Sequence, residues 1–127
     1  MARVFVVDDD AAVCRLARHI LELAGHEAVM FYDGQQALEA LERSTPDVVF
    51  TDLMMPRMDG LELLKRIRAD ARWATLPVVM LTARGGAADR RQAEEVGVSD
   101  FLTKPFSSAQ LLDLMRRLVP PAQSTST

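Results

Sequence analysis

Six side chains stand where short apolar runs stop: Asp8, Asp9 and Asp10 after Val4-Phe5-Val6-Val7, Asp52 after Val48-Val49-Phe50-Thr51, Thr82 after Val78-Val79-Met80-Leu81, and Lys104 after Asp100 to Thr103. If those runs lie side by side, the six groups share one edge. Carboxylates within several ångströms of one another repel, and each is driven toward its protonated form unless a cation compensates. Lys104 alone does not balance three. Hard oxygen ligands with room for water suit Mg²⁺, which takes one or two protein carboxylates and a phosphate in preference to a full protein cage. The combination points to phosphoryl chemistry. A carboxylate can act as nucleophile and become an aspartyl phosphate, while an ammonium and a hydroxyl hold the remaining oxygens.

The elements that would position these groups follow from hydrophobic spacing. Five apolar runs, the second and weakest from Glu27 to Phe31, alternate with longer amphipathic stretches, the pattern of a parallel sheet covered by helices on both faces. The runs lack polar alternation, as strands buried on both faces do. Val13, Leu16, Ala17, Ile20, Leu21 and Ala24 form one helical stripe, and Leu61, Leu64, Ile67 and Arg68 another. Ala109 to Val119 is a closing helix, apolar at Leu111, Leu112, Met115, Leu118 and Val119 and ended by Pro120-Pro121. Gly25 and Gly97 are placed as C-caps, Asp33 and Ser107 as N-caps, and Pro46 and Pro77 just ahead of strands. Two arrangements suit five such units: an open five-stranded sheet of flavodoxin type, or a fragment of a larger barrel. Length favours the open sheet, in which function collects at the carboxyl ends of the strands. Strands 1, 3, 4 and 5 read as central, each with a polar end, and strand 2 as the outer one, ending in Phe31 and Tyr32.

A chain of 127 residues, 49% hydrophobic and 26% charged, can close one core and is neither disordered nor a disulfide scaffold. The net charge of −3 argues against a broad nucleic-acid footprint, so no direct nucleic-acid partner is expected. The lone Cys14 cannot pair internally, which suits a reducing cytoplasm. No apolar run approaches a membrane span or a signal h-region, so no membrane partner is expected.

At the acidic pair in Val6-Val7-Asp8-Asp9, the stretch from Thr51-Asp52 through Met54-Met55-Pro56-Arg57-Met58-Asp59-Gly60, Leu81-Thr82-Ala83, and Lys104-Pro105-Phe106, the chain resembles the receiver domain of two-component response regulators. The likeness covers residues 3 to 119. It implies the flavodoxin-like (βα)5 fold with strand order 2-1-3-4-5, and a receiver spanning residues 1–121 with 122–127 as a tail or linker stub. Asp52 would accept a phosphoryl group from a phosphohistidine on a sensor histidine kinase or histidine phosphotransfer protein. Asp9, Asp52 and the Met54 backbone carbonyl would ligate Mg²⁺, with Asp8 acting largely through water. Lys104 would pair with the acids and then the phosphoryl group, placed by a cis Lys104-Pro105 bond. Thr82 would move toward the phosphoryl oxygen, and Phe101 would turn inward as the switch, changing the surface of helix 4, strand 5 and helix 5. The implied activity is that of a phosphoacceptor assisting its own transfer and autodephosphorylation, not a conventional enzyme. The recipient would be a downstream protein or a covalently linked output domain, with a phosphorylation-dependent homodimer also open.

Phe101 stands where many relatives carry Tyr, so it can report the switch only by packing. Met54 and Arg84 occupy positions that tune phosphoryl lifetime in the family, and the apolar Met54 cannot orient an attacking water. Other residues have plainer readings. Asp10 is an N-cap and Asp59 turn or cap chemistry; Cys14 is a small core or boundary residue; His19 and His26 lack partners for a metal. Met54, Met55 and Met58 read as loop packing, and Gly85-Gly86 as a pliant entry to helix 4. Arg90-Arg91 and Arg116-Arg117 read as solvated faces on the expected output surface. A haloacid-dehalogenase-type phosphatase would share Asp-x-Asp, Thr82 and Lys104, but it needs two later acids on a strand end, and only Asp113 follows Lys104. A flavodoxin would need a phosphate-cradling loop where three aspartates stand.

Overall fold

The structure, a computed structural model, describes residues 2–55, 57–83 and 87–119. Strands β1 (Arg3–Val7), β2 (Glu27–Phe31), β3 (Val48–Asp52), β4 (Val78–Thr82) and β5 (Asp100–Thr103) form one sheet in the order β2-β1-β3-β4-β5. Every pairing is parallel, with Val6 opposite Met30 on one side and Phe50 on the other. Helices α1 (Ala11–Leu23), α2 (Gly34–Arg43), α3 (Gly60–Ala69), α4 (Ala87–Val96) and α5 (Ser108–Leu118) follow the strands in turn. The sheet is open, with β2 and β5 at its edges. The strand order is the one the receiver resemblance implied, and it makes strand 5 an edge strand, not a central one as its polar end suggested; it is four residues long, and only Leu102 in it is buried.

Because side chains alternate along a strand, each strand feeds two cores. Val4, Val6, Val48, Phe50, Val79 and Leu81 pack beneath α1 and α5. Phe5, Val7, Val49, Val78 and Met80 pack beneath α2, α3 and α4. Burying each such side chain contributes about 1.5–3 kcal/mol relative to leaving it exposed. The buried face of α1 is Cys14, Ala17, Ile20 and Leu21. It is rotated from the predicted stripe: Leu16 is 46% exposed and lines a shallow groove with Phe106 and Leu112 of the α5 side. In α3 the covered residues are Leu63, Leu64 and Ile67, with Leu61 only half-covered. In α5 Leu114 joins Leu111 and Met115 in the core, while Leu112, Leu118 and Val119 are half-buried.

Side chains close the helix starts. Asp10 accepts from the Ala12 amide at 2.9 Å, Asp33 from Gln36 at 2.8 Å, Asp59 from Glu62 at 2.9 Å and Ser107 from Gln110 at 3.1 Å. Gly25 and Gly97 follow α1 and α4 with φ of 93° and 109°, in the left-handed region expected of residues just past a helix end. The predicted Pro120-Pro121 stop, the tail 122–127, Arg84 and the Gly85-Gly86 pair lie outside the described residues.

Candidate functional site

The strand order sets the site. With all strands parallel, the carboxyl ends of β1, β3, β4 and β5 come to one edge, carrying Asp8 and Asp9, Asp52, Thr82 and Lys104. Asp52 and Thr82 are the last residues of their strands, held in register opposite Leu81 and Thr103. The Asp8 amide extends the ladder by donating to the Phe31 carbonyl at 3.0 Å. Asp8 is fully buried, Asp52 nearly so, and Asp9 is exposed.

The Lys104 ammonium reaches both buried acids, 3.2 Å from Asp8 Oδ2 and 3.3 Å from Asp52 Oδ1. The other oxygen of Asp8 accepts from the Asp10 amide at 2.9 Å. Burial raises the Asp52 carboxyl to about 6; the neighbouring Asp8 charge pushes the same way, and Lys104 offsets part of the rise. Burial pulls the Lys104 ammonium down, but the Asp52 and Asp8 carboxylates outweigh it and hold the group above its usual value. One cation therefore does not satisfy the cluster. Ligand oxygens of Asp8, Asp9 and Asp52 lie within 4.8 Å of one another, a donor set of hard carboxylates that fits a divalent cation.

A second deficit points the same way. The Thr82 hydroxyl is buried and has no hydrogen-bond partner among the described residues. An unsatisfied buried hydroxyl costs about 1–3 kcal/mol, which an oxygen-bearing ligand beside it would recover. Lys104 is set next to it by backbone, its amide donating to the Thr82 carbonyl at 2.7 Å. The Lys104–Pro105 peptide is cis.

The remaining residues singled out from the sequence sit around this cluster. Met54 is 68% exposed on the β3–α3 loop. Phe101 is half-buried on β5, with the Arg90 guanidinium 4.5 Å from its ring centroid, so Arg90 is a packing partner and not only a solvated charge. Arg117 pairs with Asp100 at 3.2 Å and Asp113 at 3.1 Å. Cys14 is buried behind the site, its thiol donating to the Asp8 carbonyl at 3.3 Å. Burial, and after it the Asp8 charge, pushes that thiol up to about 11, which leaves it a poor nucleophile. His26 accepts from the Ala2 amide at 3.0 Å through Nδ1, and neither His19 nor His26 joins the acidic group.

Two features of the loop beyond Asp52 were not apparent in the sequence. Gly60 packs so tightly that a Cβ there would lie 2.1 Å from the Asp52 carbonyl oxygen, and its amide donates to Leu53 at 2.9 Å. Arg57 reaches back to the buried Asp33, which sequence reasoning marked only as a helix cap. The partners are 24 residues apart, and no local pattern joins them.

Residues 4–116 match the family described as the response regulator receiver domain. Among curated proteins, the chain is 38% identical over 119 residues to the DNA-binding dual master transcriptional regulator RpaA of Synechocystis sp., covering 94% of this chain and 49% of that protein. It is 39% identical over 117 residues to the response regulator MprA of Mycolicibacterium vanbaalenii, covering 92% of this chain and 50% of that protein. The chain thus spans about half the length of these relatives. The receiver domain of NtrX from Brucella abortus superposes with a TM-score of 0.86 at 33% identity, covering 94% of this chain and 99% of that one. The chemotaxis protein CheY4 of Vibrio cholerae superposes with a TM-score of 0.88 at 32% identity, with coverages of 94% and 99%. A family match over nearly the whole described fold excludes the phosphatase and flavodoxin alternatives, and the chain belongs to the receiver-domain family of two-component response regulators.

Proposed function

We propose that this receiver domain takes a phosphoryl group onto Asp52 from a phosphohistidine of a sensor histidine kinase or phosphotransfer protein, and that the modified site reshapes the α4-β5-α5 surface. The carrying observation is the nearly buried Asp52 carboxylate bracketed by Lys104 at 3.3 Å and by the acids Asp8 and Asp9. An Asp52 oxygen attacks phosphorus, the phosphorus–nitrogen bond breaks, and the imidazole leaves and takes up a proton. Mg²⁺ held by Asp9, Asp52 and the Met54 backbone carbonyl, with Asp8 acting largely through water, would supply positive charge against the phosphoryl oxygens. Lys104 stays ionised because of its acidic neighbours, so it can pair with a phosphoryl oxygen once Asp52 is esterified. Thr82 offers its unpartnered hydroxyl to another. As Thr82 moves, Phe101 turns inward and its stacking with Arg90 is lost, which changes the surface at α4 and β5.

The recipient of that change is a downstream protein or a linked output domain; the length of the relatives and the DNA-binding role in one relative's name support the linked domain. A homodimer formed on phosphorylation is a further outcome of the same surface. A cytoplasmic site of action goes with the proposed histidine-kinase donor; none of the described helices is long and apolar enough to cross a membrane. Met54 is apolar and exposed beside the acceptor, so it leaves attacking water unoriented and prolongs the phosphoryl state. Arg84, by position, shares that control. In Met54→Glu, a pulse of acetyl phosphate followed over time by intact-mass spectrometry should show faster phosphoryl loss; an unchanged decay would remove Met54 from this role.

The test of the function is intact-mass spectrometry after incubation with acetyl phosphate, with and without Mg²⁺, on wild type and Asp52→Asn. One phosphoryl group gained only with Mg²⁺, and never in the variant, is the expected result. No gain under any condition, or equal gain in the variant, would overturn it.

A further inference from the structure

The loop that leaves the acceptor, residues 53–59, is fixed at its start by backbone: the Leu53 amide donates to Leu81 at 3.3 Å, and the Leu53 carbonyl accepts from Gly60 at 2.9 Å. Its far side meets the start of α2, which contributes nothing to the acceptor cluster. There the Gly34 amide donates to the Met58 carbonyl at 3.1 Å, and a Cβ on Gly34 would come 2.6 Å from that oxygen. The Asp33 side chain, 3% exposed, divides its oxygens between two tasks: Oδ1 caps α2 through Gln36, and Oδ2 accepts from Arg57 Nε at 3.1 Å. A second Arg57 nitrogen bonds the same oxygen. Among the described residues, Arg57 is the one cation paired with that buried carboxylate.

Arg57 makes this contact from a strained backbone. Its φ is 63°, in the left-handed region where a residue with a Cβ is disfavoured and glycine is not. An arginine in a glycine-like conformation, 69% exposed yet forked onto a buried acid, indicates a side chain whose ion pair offsets the backbone cost. Arg57 is also the first described anchor after Met54 and Met55, the stretch that bears the carbonyl assigned to the metal. We propose that the Asp33–Arg57 pair is a latch between α2 and the β3–α3 loop, and that Arg57 is a positioning residue: it holds the Met54 carbonyl where Asp9 and Asp52 can share a divalent cation with it. Neither latch residue touches the cation. This rests on the reading of Asp52 as a Mg²⁺-dependent acceptor. With the latch open, the loop visits conformations in which the carbonyl points elsewhere, and apparent metal affinity falls by the fraction of time it is misplaced.

The experiment is calorimetric titration of Mg²⁺ into the metal-free, unphosphorylated protein: wild type, Arg57→Gly, Arg57→Lys and Asp33→Asn. Arg57→Gly removes the pair and relieves the backbone, so it should fold with near-wild-type thermal stability while its Mg²⁺ Kd rises about three- to tenfold. Asp33→Asn, which can still cap α2, should show a similar rise, and Arg57→Lys should recover much of the affinity. At saturating Mg²⁺, phosphorylation by acetyl phosphate should run within about twofold of wild type in each variant, since only the loop population has changed. An unchanged Kd in Arg57→Gly and Asp33→Asn, or a loss of saturated rate without a loss of affinity, overturns the latch. A wild type that neither binds Mg²⁺ nor becomes phosphorylated overturns the reading of Asp52 instead.

Discussion

Asp52 is an acid held in a place that resists its charge. Its folded carboxyl lies at about 6 against an ordinary 3.8, so between those values the native state binds more protons than the unfolded chain. Native stability therefore falls as pH rises through that window and remains lowered above it. In metal-free buffer, Asp52→Asn should melt higher than wild type near pH ~7.5 by the equivalent of about 1–2 kcal/mol, and the gain should vanish near pH ~4. Differential scanning calorimetry at the two pH values checks this; a gain independent of pH would show that charge is not the cause. Thr82 makes a complementary case. Replacing its hydroxyl, unpartnered among the described residues, with a methyl group, Thr82→Val, should leave urea stability unchanged or raise it by up to about 1 kcal/mol, while phosphoryl accumulation falls. A destabilised Thr82→Val would mean the hydroxyl has a native partner. The residues of this cluster were legible in the sequence because each follows an apolar run. Lys104 lies 96 residues from Asp8, and what joins them is the parallel order of the strands and nothing local.

Among the elements, the strands could be read almost to the residue because their runs are continuous, whereas the helix faces could not. In α1 both Leu16 and Cys14 suit a helical stripe by spacing, and only the packing of the helix on the sheet decides between them: Cys14 goes in against the Asp8 and Phe31 carbonyls, and Leu16 stays 46% exposed. Leu63 and Leu114 were passed over for the same reason, since Leu63 sits beside Leu64 and Leu114 beside Met115, and periodicity cannot choose between apolar neighbours. The polar end of strand 5 groups it with the central strands, whereas the order 2-1-3-4-5 implied by the receiver resemblance puts it at the edge; the sheet has that order, and the edge position shows in the half-exposure of Asp100, Phe101 and Thr103. Close approach is likewise invisible in a sequence. Gly60 follows a residue read only as turn or cap chemistry, yet its missing side chain is what lets α3 turn against the Asp52 carbonyl. Gly60→Ala should destabilise the domain by about 1–3 kcal/mol or more, as overpacking against backbone does, and chemical denaturation would reveal it. A neutral Gly60→Ala would mean the loop yields without cost.

At the level of the whole molecule, one sheet separates two apolar layers and carries all of the proposed chemistry on one edge. A charge change at that edge has two ways out. Through β3 it meets residues covered on both faces; through β4 it passes to β5, which is covered less. For the proposed switch, response at a distance would be set by topology, with Asp52 in the middle of the sheet and Phe101 at its margin.

The marginal place of β5 has a consequence for how the domain breathes. Amides of β1, β3 and β4, paired on both sides, should exchange with deuterium only when the whole domain opens, whereas β5 should exchange through smaller openings that leave the rest intact. Exchange followed by mass spectrometry would show the two rates, and equal protection across all strands would contradict this. On the proposed reading, the domain is stiff where the signal would enter and compliant where it would leave, so a modest free energy at Asp52 would move β5 without loosening β3.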